Sequence, residues 1–142
     1  MRLTREDRAV LVAALGRAEE GNRGEVRLQL EGRCPGDALA RAEELFGALG
    51  MNRTRDDTGV LLYVATRDRK TAVYAGKGVH GSADEGFWRG VADAVADGFR
   101  RDAPLEGLQA AIDRVGDLLR VAVPGPDEAG DELPNAVTVG EG

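Results

Sequence analysis

Hydrophobic positions recur at helical spacing early in the chain, as Val10, Leu11, Ala14, Leu15 and Ala18, with charged residues between them. Thr4 followed three residues later by Asp7 resembles a capping box, and Gly21-Asn22 is a stop signal. The pattern therefore predicts a helix over about residues 5–20. The period then changes to two. Val26, Leu28 and Leu30 alternate with Glu25, Arg27, Gln29 and Glu31, which predicts a half-buried strand over 25–31, near the edge of a sheet. Asp37 can cap a second helix, whose stripe is Leu39, Ala42, Leu45, Phe46 and Leu49 and whose stop is Gly50. Val60 to Ala65 is a continuous apolar run, the pattern of a central strand covered on both faces.

The Arg67–Lys70 connection is too short for a crossover, so the next strand returns antiparallel beside the last. Ser82 with Glu85 forms a capping box for a third helix, in which Phe87, Val91, Val95 and Phe99 repeat every four residues. Trp88 lies one position off that stripe, so partial exposure is expected. Pro104 opens a fourth helix with Leu105, Leu108, Ile112, Val115, Leu118 and Leu119 on its buried side. The order of elements predicts an α/β/α sandwich. Its small mixed sheet has strands near 25–31, 60–66 and 71–76, covered by about four helices. Residues 1–123 read as one domain and 124–142 as an acidic Gly/Pro-rich tail, able to dock a short strand at 136–139.

Charge narrows the partners. The 142 residues hold 25 acidic against 19 Lys and Arg, a net charge of −6, which argues against nucleic acid and anionic membranes. One cysteine and one histidine exclude an intramolecular disulfide and a zinc-finger-like site. The first residues lack a signal-peptide core, and no stretch approaches the ~20 apolar residues that span a bilayer. A cytoplasmic location is expected, with the protein partner and oligomeric state open.

Gly76-Lys77-Gly78-Val79-His80-Gly81 matches G-x-G-x-x-G, a pattern that can seat a pyrophosphate on a helix N-terminus. It follows the return arm of a hairpin, however, and lacks the βαβ setting that would confirm nucleotide binding. Cys34 precedes a helix start, but Arg41 follows one residue too late for a cysteine-phosphatase loop. It reads as a small turn residue, and His80 as a loop residue. The carboxylates are more informative. Two parallel strands would start at one edge of the sheet, bringing Glu25, Asp56 and Asp57 there. The third strand ends at that edge too, followed by the glycine turn and by Asp84 and Glu85. Oxygen donors without His or Cys suit Ca²⁺ or Mg²⁺. The alternative is that these acids are helix caps and solvated loop charges. The tail acids Asp127, Glu128, Asp131 and Glu132 read as solvated.

In their order, Gly24-Glu25-Val26-Arg27, Thr58-Gly59-Val60-Leu61-Leu62-Tyr63, Asp68-Arg69, Gly76-Lys77-Gly78-Val79 and Gly86-Phe87-Trp88 resemble the TPM-domain family. Glu132-Leu133-Pro134-Asn135 looks like the ending of a short soluble bacterial branch of it. The family includes thylakoid-lumen proteins linked to photosystem II repair. The resemblance implies an α/β/α sandwich with divalent-cation sites near the sheet rim. It implies acid-phosphatase activity in some plant members and accessory or assembly roles in others. Gly76 stands where many members carry an acidic residue, which removes one possible ligand. Two functions follow as expectations: a binding or accessory module holding Ca²⁺ or Mg²⁺ through Glu25, Asp56, Asp57, Asp84 and Glu85, or a metal-dependent phosphatase. In the second, Asp57 and Lys77 are the candidates for the chemistry, with the ion polarising a phosphoryl oxygen.

Overall fold

The computed structural model describes residues 3–53, 55–126 and 137–140, and in it the two strongest strand patterns lie side by side. Strand β1 (Glu25–Glu31) pairs in parallel with β2 (Gly59–Ala65), in the register Glu25 to Gly59 and Glu31 to Ala65. Strand β3 (Lys70–Ala75) returns antiparallel along β2, and β4 (Val137–Val139) adds in parallel outside β1. The sheet order is β3-β2-β1-β4, so β2 is interior, as its unbroken apolar run requires. Helices α1 (Arg5–Ala18) and α2 (Ala38–Ala48) flank β1 in sequence. After β3 come a one-turn helix α3 (Lys77–His80), then α4 (Glu85–Arg100) and α5 (Pro104–Ala122).

Both expected N-caps of the first two helices form. Thr4 and Asp7 exchange side-chain-to-backbone bonds, and Asp37 accepts from the Ala40 amide. One face of the sheet buries Val26, Leu28, Leu30, Val60, Leu62 and Val64 against α1, α4 and α5, where Leu11, Leu15, Leu108, Ile112 and Leu119 are fully buried. Each such side chain contributes about 1.5–3 kcal/mol by leaving water. The other face packs Leu61 and Tyr63 under Phe46 of α2 and Met51 of the following turn. Helices α4 and α5 touch through glycine: a Cβ on Gly98 would fall 2.6 Å from the Gly107 Cα.

Five expectations are corrected. Strand β1 is not a half-exposed edge, because β4 covers its outer side and all seven residues are buried. The second half of its polar face is paired internally, Glu31 with Arg41 and Tyr63 and Gln29 with Thr138, whereas Arg27 Nε is buried with no hydrogen-bond partner among the described residues. The α4 cap is Asp84, accepting from the Phe87 amide at 2.9 Å, and not Ser82, whose own amide closes the α3 turn on Val79. Residues 77–80 are helical where a turn is expected. Trp88 is buried at 6% exposure, because its indole donates to the His80 carbonyl at 3.1 Å and α3 folds over it. The buried stripe of α4 is Trp88, Val91, Val95 and Gly98, leaving Phe87 and Phe99 at its margins.

Among the described residues, no helix is long and apolar enough to cross a membrane. The expectations for Asp127, Glu128, Asp131 and Glu132 lie outside the described residues.

Candidate functional site

Parallel pairing brings the starts of β1 and β2 to one rim, and the antiparallel return delivers the end of β3 beside them. The Gly76 amide donates to the Gly59 carbonyl there at 2.9 Å. Asp57 organises this rim. Its backbone is left-handed, at φ 54°, a conformation that Asp adopts more readily than bulkier residues. Its Oδ2 accepts the Lys77 amide at 3.0 Å and its carbonyl accepts the Gly78 amide at 2.9 Å. Gly76 and Gly78 are required for this approach, since a Cβ on either would run into the Asp57 or Asp56 carbonyl oxygen. The second carboxylate oxygen, Oδ1, is buried and, among the described residues, accepts no hydrogen bond. That is a costly condition for an anionic oxygen and calls for a compensating group.

The other candidates are spread along the rim. Asp56 is ion-paired to Arg23 at 2.5 Å. Asp84 spends Oδ1 on its cap. Glu85 is exposed, with His80 Nε2 at 3.7 Å. Glu25 is buried at the first position of β1, and its charge partly offsets the burial that lowers the Arg27 pKa. Lys77 extends into solvent and contributes its backbone amide to Asp57. Glu25, Asp57 and Asp84 thus share an edge without forming one ligand cluster. Among the described residues, no three His, Cys, Asp or Glu side chains are grouped to hold a metal ion.

The glycine motif has no amide to offer a phosphate. The Gly76, Lys77, Gly78, Val79 and His80 amides donate to Gly59, Asp57, Asp57, Gly76 and Gly76 respectively. Among the described residues, His80 is hydrogen-bonded to no hydroxyl or thiol that it would activate as a base.

A second polar cluster lies at the opposite edge, and the alternating pattern of β1 does not announce it. Tyr63 donates to Glu31 Oε1 at 2.8 Å, and Arg41 grips Glu31 with Nε at 3.0 Å and Nη2 at 2.7 Å. The Arg41 bond holds the Glu31 carboxyl below its ordinary range, against the opposing effect of burial. Burial and the Glu31 bond push the Tyr63 phenol strongly upward. Beside it, Asp68 accepts from the Cys34 amide at 2.7 Å, and the buried Cys34 thiol donates to the Gly36 carbonyl at 3.5 Å. Tyr63 in an apolar run and an acid at the last position of β1 were the only sequence signals for this network.

Comparisons with known proteins agree with this architecture. The model of the TPM domain matches residues 2–118. The NMR structure of the BA42 protein from the psychrophilic bacterium Bizionia argentinensis superimposes with a TM-score of 0.86 at 32% identity, covering 99% of this chain and 97% of that one. N-terminal domains of proteins from Corynebacterium glutamicum and P. gingivalis share the fold, each with a TM-score of 0.66, at 11% and 16% identity. They cover 89% and 94% of this chain, and each match spans 80% of the other chain. No curated protein matches the chain significantly.

Proposed function

This chain belongs to the TPM-domain family, and from that premise we propose that it is a binding or accessory module whose rim holds a divalent cation, Ca²⁺ or Mg²⁺, through Asp57. The observation that carries the reading is the Asp57 carboxylate, with one oxygen tied to the Lys77 amide and the other buried without a donor. A cation beside that oxygen would supply the missing partner. The donor chemistry fits a hard ion, since Ca²⁺ and Mg²⁺ take carboxylate, carbonyl and water oxygens together. One carboxylate completed by carbonyls and water is a low-charge site, so modest affinity is expected. Asp56, Glu25, Asp84 and Glu85 add negative potential along the same edge without all serving as ligands.

Melting curves of chelator-stripped protein test this reading. Binding to the folded state alone raises stability by about 2.7 kcal/mol at a hundredfold excess over Kd, or roughly 5–10 °C for a domain of this size. A Tm that does not move with millimolar Ca²⁺ or Mg²⁺ leaves the rim acids as caps and solvated charges.

A further inference from the structure

Opposite the rim, the β2–β3 hairpin and the C-terminal half of α4 enclose a cleft of about 660 Å³. That volume falls within the range of small-molecule sites. Its floor is apolar, from Val64, Ala96 and Phe99, and its walls carry Arg69, Lys70 and Arg100 with no acidic residue among the lining groups. In a chain of net charge −6, a lining with three cations and no carboxylate of its own marks a local reversal of sign, although Asp97 stands behind Arg100. We propose that this cleft binds a small organic anion: a phosphate ester or carboxylate carried on an apolar body.

The cations differ in how far they are committed. Lys70 Nζ is held by the Cys34 and Gly36 carbonyls at 2.7 and 2.8 Å, so it is a fixed charge in the wall. Among the described residues, Arg69 makes neither ion pair nor hydrogen bond. Among the described residues, Arg100 has only a 3.4 Å contact with Asp97, whose other oxygen is taken by Arg101 at 2.8 Å. Two guanidinium groups therefore keep donors for an oxyanion, which they bind in bidentate geometry.

The walls are also preorganised. The amides of Thr66, Arg67 and Asp68 donate to the Glu31 and Gly32 carbonyls, clamping the hairpin to the end of β1. Thr71 Oγ1 donates to the Ala92 carbonyl at 3.3 Å, fixing β3 to α4. Arg69 itself is held in a left-handed backbone at φ 54°. A non-glycine residue there costs free energy, which is more often retained at ligand sites than elsewhere. The cleft lies at the carboxyl end of β2, where Val64 and Ala65 pass into the hairpin turn.

The test is an amide chemical-shift titration of the full chain with phenyl phosphate, benzoate and inorganic phosphate. Phenyl phosphate or benzoate should shift the amides of 66–71 and 96–100 saturably. The combined variant Arg69→Asn with Arg100→Ala should weaken that binding at least about tenfold, since Asn tolerates the left-handed backbone while both charges are lost. Arg5→Ala, remote from the cleft, should bind as the parent does, and the tighter organic probe identifies the headgroup. Inorganic phosphate should bind about tenfold more weakly than the tighter organic probe, having no apolar body for the floor. Absence of saturable shifts with either organic probe overturns the proposal. So does undiminished affinity in a double variant that melts like the parent, or inorganic phosphate binding as tightly as phenyl phosphate.

Discussion

Asp57 accepts the amide of Lys77 at 3.0 Å, joining the turn before β2 to the helix that follows β3 across twenty positions of sequence. Through that bond and the Gly78 amide on the Asp57 carbonyl, one residue closes the rim. Replacing it separates structure from charge. Asp57→Asn keeps an oxygen for the Lys77 amide and tolerates φ near 54°, so its stability without added metal should stay within about 0.5 kcal/mol of the parent. Asp57→Ala loses the bond and keeps the strained backbone, at a cost of about 1–2 kcal/mol. Urea denaturation measures both.

Gly78→Ala should be more damaging than either. Its Cβ would enter the space of the Asp56 carbonyl oxygen, a backbone atom that cannot rotate away. A loss of at least about 2 kcal/mol is expected in the same assay. A neutral Gly78→Ala would mean that the α3 turn is not pressed against residues 56–57.

The Glu31 network predicts an acid limb of stability. Its folded pKa lies below the ordinary value, chiefly through Arg41. Its contribution is therefore fully present above the unfolded pKa, near 4.3, and is lost as pH falls through the lower folded value. Glu31→Gln should flatten the fall in Tm between about pH 5 and 3. Tyr63→Phe, which removes one buried donor while Arg41 remains, should cost about 1–2 kcal/mol at neutral pH. An acid limb unchanged in Glu31→Gln would assign it to other carboxylates.

Period and turn chemistry made the sheet legible. The alternation at 25–31, the run at 60–65 and the short connection at 67–70 predicted two parallel strands and an antiparallel return, and the pairing directions agree. The environment of β1 was not legible, because alternation states which residues share a face and not what later covers it. The three residues of β4 and the reach of Arg41 decide that. Trp88 shows the same limit. Its burial follows from a bond to His80 on a one-turn helix too short to leave a periodic signal. At the rim, topology placed the acids on one edge, but side-chain commitments to Arg23 and to the α4 cap separate them, and those depend on local geometry.

Trp88 also provides a reporter. Its indole hangs from the His80 carbonyl at the end of the helix whose first amide Asp57 holds. A cation on Asp57 should change the emission of this single tryptophan, and Asp57→Asn should abolish the change. Emission that responds equally in the variant would place the ion elsewhere.

A module that binds without turnover should leave a generic phosphate ester intact. With purified protein and Ca²⁺ or Mg²⁺, hydrolysis of p-nitrophenyl phosphate should match the buffer rate. Turnover that needs the metal and disappears in Asp57→Asn would instead assign phosphatase chemistry to the rim.

Titration calorimetry of Ca²⁺ and Mg²⁺ into chelator-stripped protein, run in parallel on the parent and Asp57→Asn, tests the central claim most directly. The buried Asp57 oxygen predicts a saturable heat with about one ion per chain in the parent, and at least about tenfold weaker binding in the variant, since the one charged ligand is lost. Equal heats in parent and variant, or none in either at millimolar metal, would contradict it.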